Sequence, residues 1–497
     1  MKKTWKIVAI ALLAVINVCP VMAGGILTNT NQNVAFLRNP ARDGAIGIDG
    51  VYSNPAGVAF LKDGLHLSFN WQAAFQTRTI DSANPFFQYG IKNNGSVVKS
   101  YEGTSRAMFI PSLQAAYNKD KWSFQFNFAV TGGGGKCEFD EGLGSFESAV
   151  GQIAHGLKGL GVTNYDCASY MQGKQYYFGF TLGTAYKITE NLSVYGGLRV
   201  LYGIASYKAK INNIMVKSAG GDLQTFNAFL TDKMDNLKLT KYALEQAGAT
   251  ATPTYTQVVG TLQKLDQLET YRNGVNLISN QTGTGVAPIF GADFKYGKFN
   301  FAVKYEFRTK MAMKNESTVD KVYAIDAVNT YLDDTKVRED QPSLLALGVE
   351  YSPVERVRIN AGYHHFYDKN AKKTYYVNSV RYDNKNSQLK KGTDEYLGGV
   401  EVDIAKKWTA SAGFQITKYG NTDEYINDIS FVVNSWSFGL GAKYQVSDRL
   451  AVQAAFFQTN YDKYTSQAIM IGDPTGIIQN TYGRTNRVLA IGANLDF

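Results

Sequence analysis

Beyond residue 23 the sequence has no uninterrupted apolar run of the ~18 residues that a membrane-crossing helix needs. A helical membrane bundle is thereby excluded. A transmembrane β-barrel is not, because each of its strands carries only a weak hydropathy signal. Cysteine is scarce, with three in 497 residues, one of them Cys19 near the N-terminus. Cys137 and Cys167 lack metal-site spacing, which excludes a zinc module. In an exported chain the pair is a candidate disulfide within one long loop, with two free thiols as the alternative. Histidine is nearly as scarce: His66, His155, His364 and His365. The adjacent His364 and His365 would point to opposite faces of a strand, so both cannot serve one site. No nucleophile elbow or glycine-rich nucleotide loop occurs. An enzyme is therefore not expected, and no cofactor or metal is called for. No basic tract is dense enough for nucleic acid.

What is present begins with a leader. Lys2, Lys3 and Lys6 precede an apolar stretch from Ile7 to Val18, and Val21-Met22-Ala23 offers a small-residue cleavage site. Residues 1–23 therefore read as a signal peptide. Cys19 raises lipoprotein processing as an alternative, which the bulk of Val18 before it disfavours. Loss of the three leader lysines lowers the formal charge of +9 to about +6. That mild excess suits anionic lipid headgroups near a barrel rim.

Strict alternation fills the rest of the chain. Leu65, Leu67, Phe69, Trp71, Ala73 and Phe75 interleave with His66, Ser68, Asn70, Gln72, Ala74 and Gln76. Trp122 to Thr131 and Phe299 to Arg308 repeat the pattern, the latter with Lys304 and Glu306 on its polar face. A soluble sandwich also alternates. Here the apolar faces are dense in aromatics, with 28 Phe and 32 Tyr in the chain. About fourteen strands are expected, joined alternately by short turns such as Asn118-Lys119-Asp120 and by long loops. Short periplasmic turns and long outer loops are the asymmetry of an outer-membrane barrel. The expected fold is an all-β membrane protein: a transmembrane antiparallel β-barrel over 64–497 with helical segments in its extracellular loops. Polar lumenal residues, Arg199, Lys304, Glu306, Arg308, Arg358, Glu401 and Asp403, either bind a carboxylate or salt-bridge a plug, and the plug and wall role is expected for most of them. A haem or metal role for His66 or His364 in the lumen is less expected than a hydrogen-bonding one.

Ahead of the strands lies a small-residue stretch, Ala45 to Leu61, centred on Asn54, Pro55, Ala56 and Gly57. Pro55 fixes its own φ and extends Asn54, and Gly57 permits a turn with positive φ. Such a segment, 24–63, packs against other backbone but builds no core of its own. It is either an ordinary loop or the hatch that plugs the barrel.

Arg42 to Gly50, followed by Tyr52-Ser53-Asn54-Pro55-Ala56-Gly57, resembles the N-terminal hatch of the FadL-type outer-membrane transporters for long-chain fatty acids and other hydrophobic compounds. The resemblance implies a hydrophobic ligand, most readily a fatty acid. Aromatic compounds and haem are alternatives on the same fold, and a lipid-modifying enzyme or a structural barrel is an alternative of another class. It also implies a gate at Asn54, Pro55, Ala56 and Gly57. Outer-loop residues Phe226, Phe229, Leu230 and Met234 recur at helical spacing. They would either pack on other helices over the barrel mouth or capture ligand in an exposed apolar groove, as FadL-type loops do. Gly132, Gly133, Gly134 and Gly135 end the third expected strand. They are either a flexible loop start or the inward kink through which this family opens its wall sideways. Further expected partners are outer-membrane lipid, lipopolysaccharide and, through the terminal Phe497, the barrel-assembly machinery. The chain is expected to act as a monomer.

Overall fold

The computed structural model describes residues 33–322, 326–470 and 473–497. The leader and the first part of the 24–63 segment fall outside them. Fourteen antiparallel strands form one closed wall. They are β1 (Gly64–Ala83), β2 (Val98–Lys119), β3 (Trp122–Phe139), β4 (Val162–Lys187), β5 (Leu192–Ser218), β6 (Val275–Tyr296) and β7 (Phe299–Glu306). Then follow β8 (Leu344–Val354), β9 (Val357–Phe366), β10 (Thr393–Ala405), β11 (Trp408–Lys418), β12 (Ser435–Gln445), β13 (Leu450–Tyr461) and β14 (Asp473–Asp496). Each pairs with the next, and β14 closes on β1 in a register running from His66↔Asp496 to Ala83↔Gln479. At the closing seam Leu65 and Phe497 exchange both backbone hydrogen bonds, at 3.2 and 2.9 Å. Gly64 makes this possible: its φ is +131°, and a Cβ there would strike the Phe497 carbonyl.

The lower wall has the expected polarity. Phe69, Trp71, Phe124, Leu182, Leu198 and Phe301 are exposed, while Ser68, Asn70, Gln125, Thr181, Arg199 and Asn300 are buried inside. Exposed aromatic pairs mark the short-turn rim: Trp122–Tyr186 at 4.6 Å, Phe299–Tyr351 at 4.6 Å and Trp408–Tyr444 at 4.7 Å. An apolar band bordered by aromatic rings is what a lipid bilayer selects.

Several strands run much further outward than expected. β5 has 27 residues and β4 has 26, whereas a tilted crossing needs about 9–11. The reason lies in the residues. Above the membrane band the alternation inverts: Ala205, Tyr207, Ala209 and Ile211 of β5 turn inward and are buried, with Lys208 and Lys210 facing out. Of the sequence stretches 80–105 and 132–172, which read as long outer loops, nearly half is therefore wall.

This tall outer wall encloses an apolar core. Helix α1 (Val34–Arg38) belongs to the lumenal segment. Helices α2 (Gly144–Gly156), α3 (Phe226–Gln246) and α4 (Pro253–Leu268) lie in outer loops. Thr225 and Thr252 cap α3 and α4 by accepting from the backbone N–H of Ala228 and Tyr255, and Pro253 opens α4. Phe146, Ile153, Phe226, Phe229 and Leu265 share one cluster with Tyr101 and Tyr207 of the wall.

Candidate functional site

Residues 33–63 lie inside the barrel, almost wholly buried. Val34, Phe36 and Leu37 pack against Phe457 and Val488 of the wall, and Ile48 and Val58 against Ala116; polar bonds to the wall fix the rest. Asn33 donates to Gln114 of β2 at 2.8 Å, and Asn39 to Asn360 of β9 at 2.8 Å. Arg38 pairs with Glu401 of β10 at 3.2 Å. Asn300 of β7 donates to the Gly44 carbonyl at 2.8 Å, and Lys304 to the Tyr52 carbonyl at 2.7 Å. His364 of β9 sits between Asp43 (3.0 Å) and Glu395 of β10 (2.8 Å). With a carboxylate at each ring nitrogen, His364 bridges the segment to the wall. His365 faces away and meets Asp394 instead. Of the remaining lumenal charges, Arg199 binds Glu306, and Arg358 binds Glu401 and Asp403.

The Asn54–Gly57 element is the most tightly held. The Asn54 amide donates to Asp293 of β6 at 2.5 Å, and its Oδ1 accepts from Gly57 N–H at 3.2 Å. The Pro55 carbonyl accepts from Gln125 of β3 at 2.7 Å, and the Ala56 carbonyl from Ser193 of β5 at 2.7 Å. Three wall strands thus grip three successive residues, Asn54, Pro55 and Ala56. The expected positive φ at Gly57 is not found: it is absent from the positive-φ residues. Space excludes a side chain there. A Cβ would sit 2.9 Å from the Asp293 carboxylate and closer still to the Asn54 amide.

The Gly132–Gly135 run is neither a loop nor a strand end, because β3 continues to Phe139. Gly133 (φ +98°) and Gly135 (φ +72°) mark two successive bulges against β4. On the other side the β2–β3 ladder stops. Ser112 pairs with Ala129 and Ser105 with Cys137, and nothing between them pairs. Met108 and Phe109 border this unpaired window on the lipid side and are 56 % and 72 % exposed. Behind it lies a cavity of about 180 Å³, which reaches Gly133, Gly135, Ala107 and Ile110 at the wall and Phe36 of α1 below. The window thus adjoins lipid on one face and a lumenal cavity on the other. The sequence signal for it was the apolar run Ala107 to Pro111, where alternation fails and a proline sits inside a strand.

Two expectations are corrected. Cys137 and Cys167 are free. Cys137 is opposite Gly173 on β4, and Cys167 lies further along that strand by about 20 Å at ~3.3 Å per residue, beyond the ~7 Å Cα limit of a disulfide. Phe226, Phe229, Leu230 and Met234 form no exposed groove; all four are buried against the wall and α4 because the outer wall there is apolar inside. The large exposed apolar residues of α3 are Leu239 and Tyr242, nearer its C-terminal end.

Glu147 of α2 pins the outer core. Asn93, Lys99 and Tyr101 donate to it at 2.6, 2.8 and 2.8 Å. Burial alone would raise its pKa, but these bonds and the Lys99 charge outweigh burial and hold the carboxyl below the usual range.

No family model and no curated protein matches the chain. Solved structures do. A Pseudomonas aeruginosa FadL homologue superposes with a TM-score of 0.62 at 12% identity, covering 95% of this chain and 100% of that one. The chain has the fold of the FadL-type outer-membrane channels. The Pseudomonas putida toluene transporter TodX gives 0.52 at 12% identity, with 91% and 94% covered. The Ralstonia pickettii toluene transporter TbuX gives 0.51 at 13%, with 91% and 94% covered. In all three the likeness extends over more than nine-tenths of each chain.

Proposed function

We propose that the protein is a passive channel of a Gram-negative outer membrane, reached by cleavage of the 1–23 leader and assembly through the C-terminal strand. A hydrophobic small molecule enters from the outer loops, passes the hatch at Asn54, Pro55, Ala56 and Gly57, and leaves sideways through the β2–β3 window. Apolar molecules cross an open aqueous pore poorly, so direct transfer from a lined cavity to lipid favours them. The observation that carries this reading is the unpaired window with a cavity behind it and exposed Met108 and Phe109 before it. An interrupted ladder in a bilayer costs several kcal/mol per unsatisfied group, so an interruption of this length calls for a use.

Long-chain fatty acids are the proposed cargo. A monoaromatic hydrocarbon is the second reading. It is favoured by the small cavity, about 180 Å³, and by the toluene transporters among the structural neighbours. Accumulation of labelled oleate and labelled toluene in cells expressing the protein, against cells lacking it, tests both. Uptake of neither would reject the channel function.

A further inference from the structure

On the outer face of the wall, small side chains leave a hollow in the lipid-facing band. Ala442 of β12 is opposite Ala454 of β13, and Val452 of β13 is opposite Ala493 of β14. Larger residues stand at its two ends: Trp408 and Tyr444 at the short-turn rim, Phe109 and Phe128 beside the β2–β3 window. The hollow measures about 900 Å³. It crosses successive strands through Ala493, Phe69, Leu113 and Phe128, which follow one another in register. Barrel strands tilt, so this line climbs through the bilayer from one end to the other. An apolar hollow in lipid fills with acyl chain, because an empty one forfeits the dispersion contacts of its lining.

Above the hollow a row of cations crosses the same outer face. Arg487 of β14 and Arg106 of β2 flank Phe75 of β1, which is opposite both. Both arginines are exposed. On β3 the register Ser105↔Cys137 puts Lys136 next to Arg106, and Lys136 is directly opposite Lys174 of β4. Lys208 of β5, opposite Gln172, ends the row. Like charges opposite one another on neighbouring strands repel. Lys136 pairs with Glu138 at 2.7 Å. Among the described residues Arg487, Arg106, Lys174 and Lys208 make no ion pair. The next carboxylate along β2, Glu102, lies four residues beyond Arg106. The row sits close above the hollow: Arg106 is three residues from Phe109, and Arg487 is four from Ile491, about 13 Å at ~3.3 Å per residue.

We propose that this face seats a phosphorylated, multiply acylated glycolipid of the outer leaflet, the lipid anchor of lipopolysaccharide, with its phosphates on the cation row and acyl chains in the hollow below. The inference rests on the outer face of the wall and goes beyond the channel reading. Charge and position select this occupant. A phosphate takes two parallel N–H donors from a guanidinium and a point charge from an ammonium. The cations stand toward the long-loop end of the strands, on the side of the outer leaflet. A zwitterionic phospholipid would supply chains but no net negative charge. A second copy of the chain, docked here by a two-fold axis, would set a like-charged row against this one.

The test uses the full-length protein in nonionic detergent and native mass spectrometry, titrating lipid A, its dephosphorylated form with the same acyl chains, and phosphatidylethanolamine. Wild type is expected to bind lipid A about tenfold or more tighter than either of the others. Arg106→Gln combined with Lys174→Gln and Arg487→Gln should erase that preference. Lys233→Gln combined with Lys238→Gln and Lys241→Gln, which removes the same charge from α3, should keep it. Ala454→Phe combined with Ala493→Phe fills the hollow and should weaken lipid A and its dephosphorylated form alike, by about tenfold. Assembly of each variant is checked by heat-modifiable gel mobility, and the Gln variants decide the headgroup claim even where the filled hollow blocks assembly. Equal affinity of wild type for lipid A and its dephosphorylated form overturns the seat. So does an equal loss in the α3 variant, which marks diffuse attraction, and so does unchanged binding in an assembled variant with the hollow filled. Dimers that grow with protein concentration and vanish when the hollow is filled overturn it in favour of a second copy. Each of these failures leaves the channel reading standing, because no transported cargo enters the measurement.

Discussion

The indole N–H of Trp71 on β1 donates to the carbonyl oxygen of Met108 on β2 across 2.8 Å, on the outer face of the wall. Met108 lies in the stretch of β2 that has lost its ladder to β3. A backbone carbonyl left bare in lipid is costly, and Trp71 satisfies one where the window would otherwise expose it. Trp71→Phe keeps the ring but removes the donor. It should lower stability by about 1–3 kcal/mol, read as a lower midpoint in heat-modifiable gel mobility. An unchanged midpoint would mean that this carbonyl finds another donor.

The hatch is gripped through Asn54, Pro55 and Ala56, and Gly57 has no room for a side chain. Gly57→Val should therefore displace the Asn54–Asp293 contact. Uptake of labelled fatty acid should fall while the barrel still assembles. Normal uptake with normal assembly would dissociate the element from transport.

Much of this was legible beforehand, for stated physical reasons. The lower wall could be read because one face meets lipid and the other meets polar hatch and lumen, so alternation is strict from Trp122 to Val130. The outer wall could not, because its polarity inverts above the membrane: Tyr207 points in and Lys208 out, the reverse of Arg199 and Leu198. The hatch was visible in its small residues, but Gly57 was assigned a backbone reason where the constraint is space. The ladder interruption left a trace in Ala107 to Pro111.

Deleting Gly24 to Val58 should leave a folded barrel, because strand pairing begins at Gly64. Without the segment the lumen is open, and single-channel conductance in planar bilayers should rise above that of wild type. Equal conductance would place the obstruction elsewhere, in the outer core.

Glu147 fixes a pH dependence. Its folded pKa is depressed, so its contribution is fully present above the unfolded value of about 4.5. It is lost as pH falls through the folded value. The thermal midpoint of wild type should therefore drop below pH ~4.5 more steeply than that of Glu147→Gln. At pH 7 the variant should be less stable by about 1–2 kcal/mol. Parallel pH profiles would show that the Asn93–Lys99–Tyr101 clasp carries no charge-dependent stability.

A Cβ built on Gly135 would lie 3.6 Å from the Cβ of Ala107 across the β2–β3 window, within the ~3.5–4.5 Å that a disulfide spans. In a chain with Cys137 and Cys167 replaced by Ser, Ala107→Cys with Gly135→Cys ties the two strands together. The positive φ of Gly135 adds about 1–2 kcal/mol of strain, which the reduced form of the same protein controls for. Fatty-acid uptake by cells carrying this variant, measured oxidised and then reduced, tests lateral release most directly. Uptake should fall to the level of cells lacking the protein when the bond is formed and return when it is reduced. Equal uptake in both states, with the bond confirmed by mass spectrometry, would contradict release through the window.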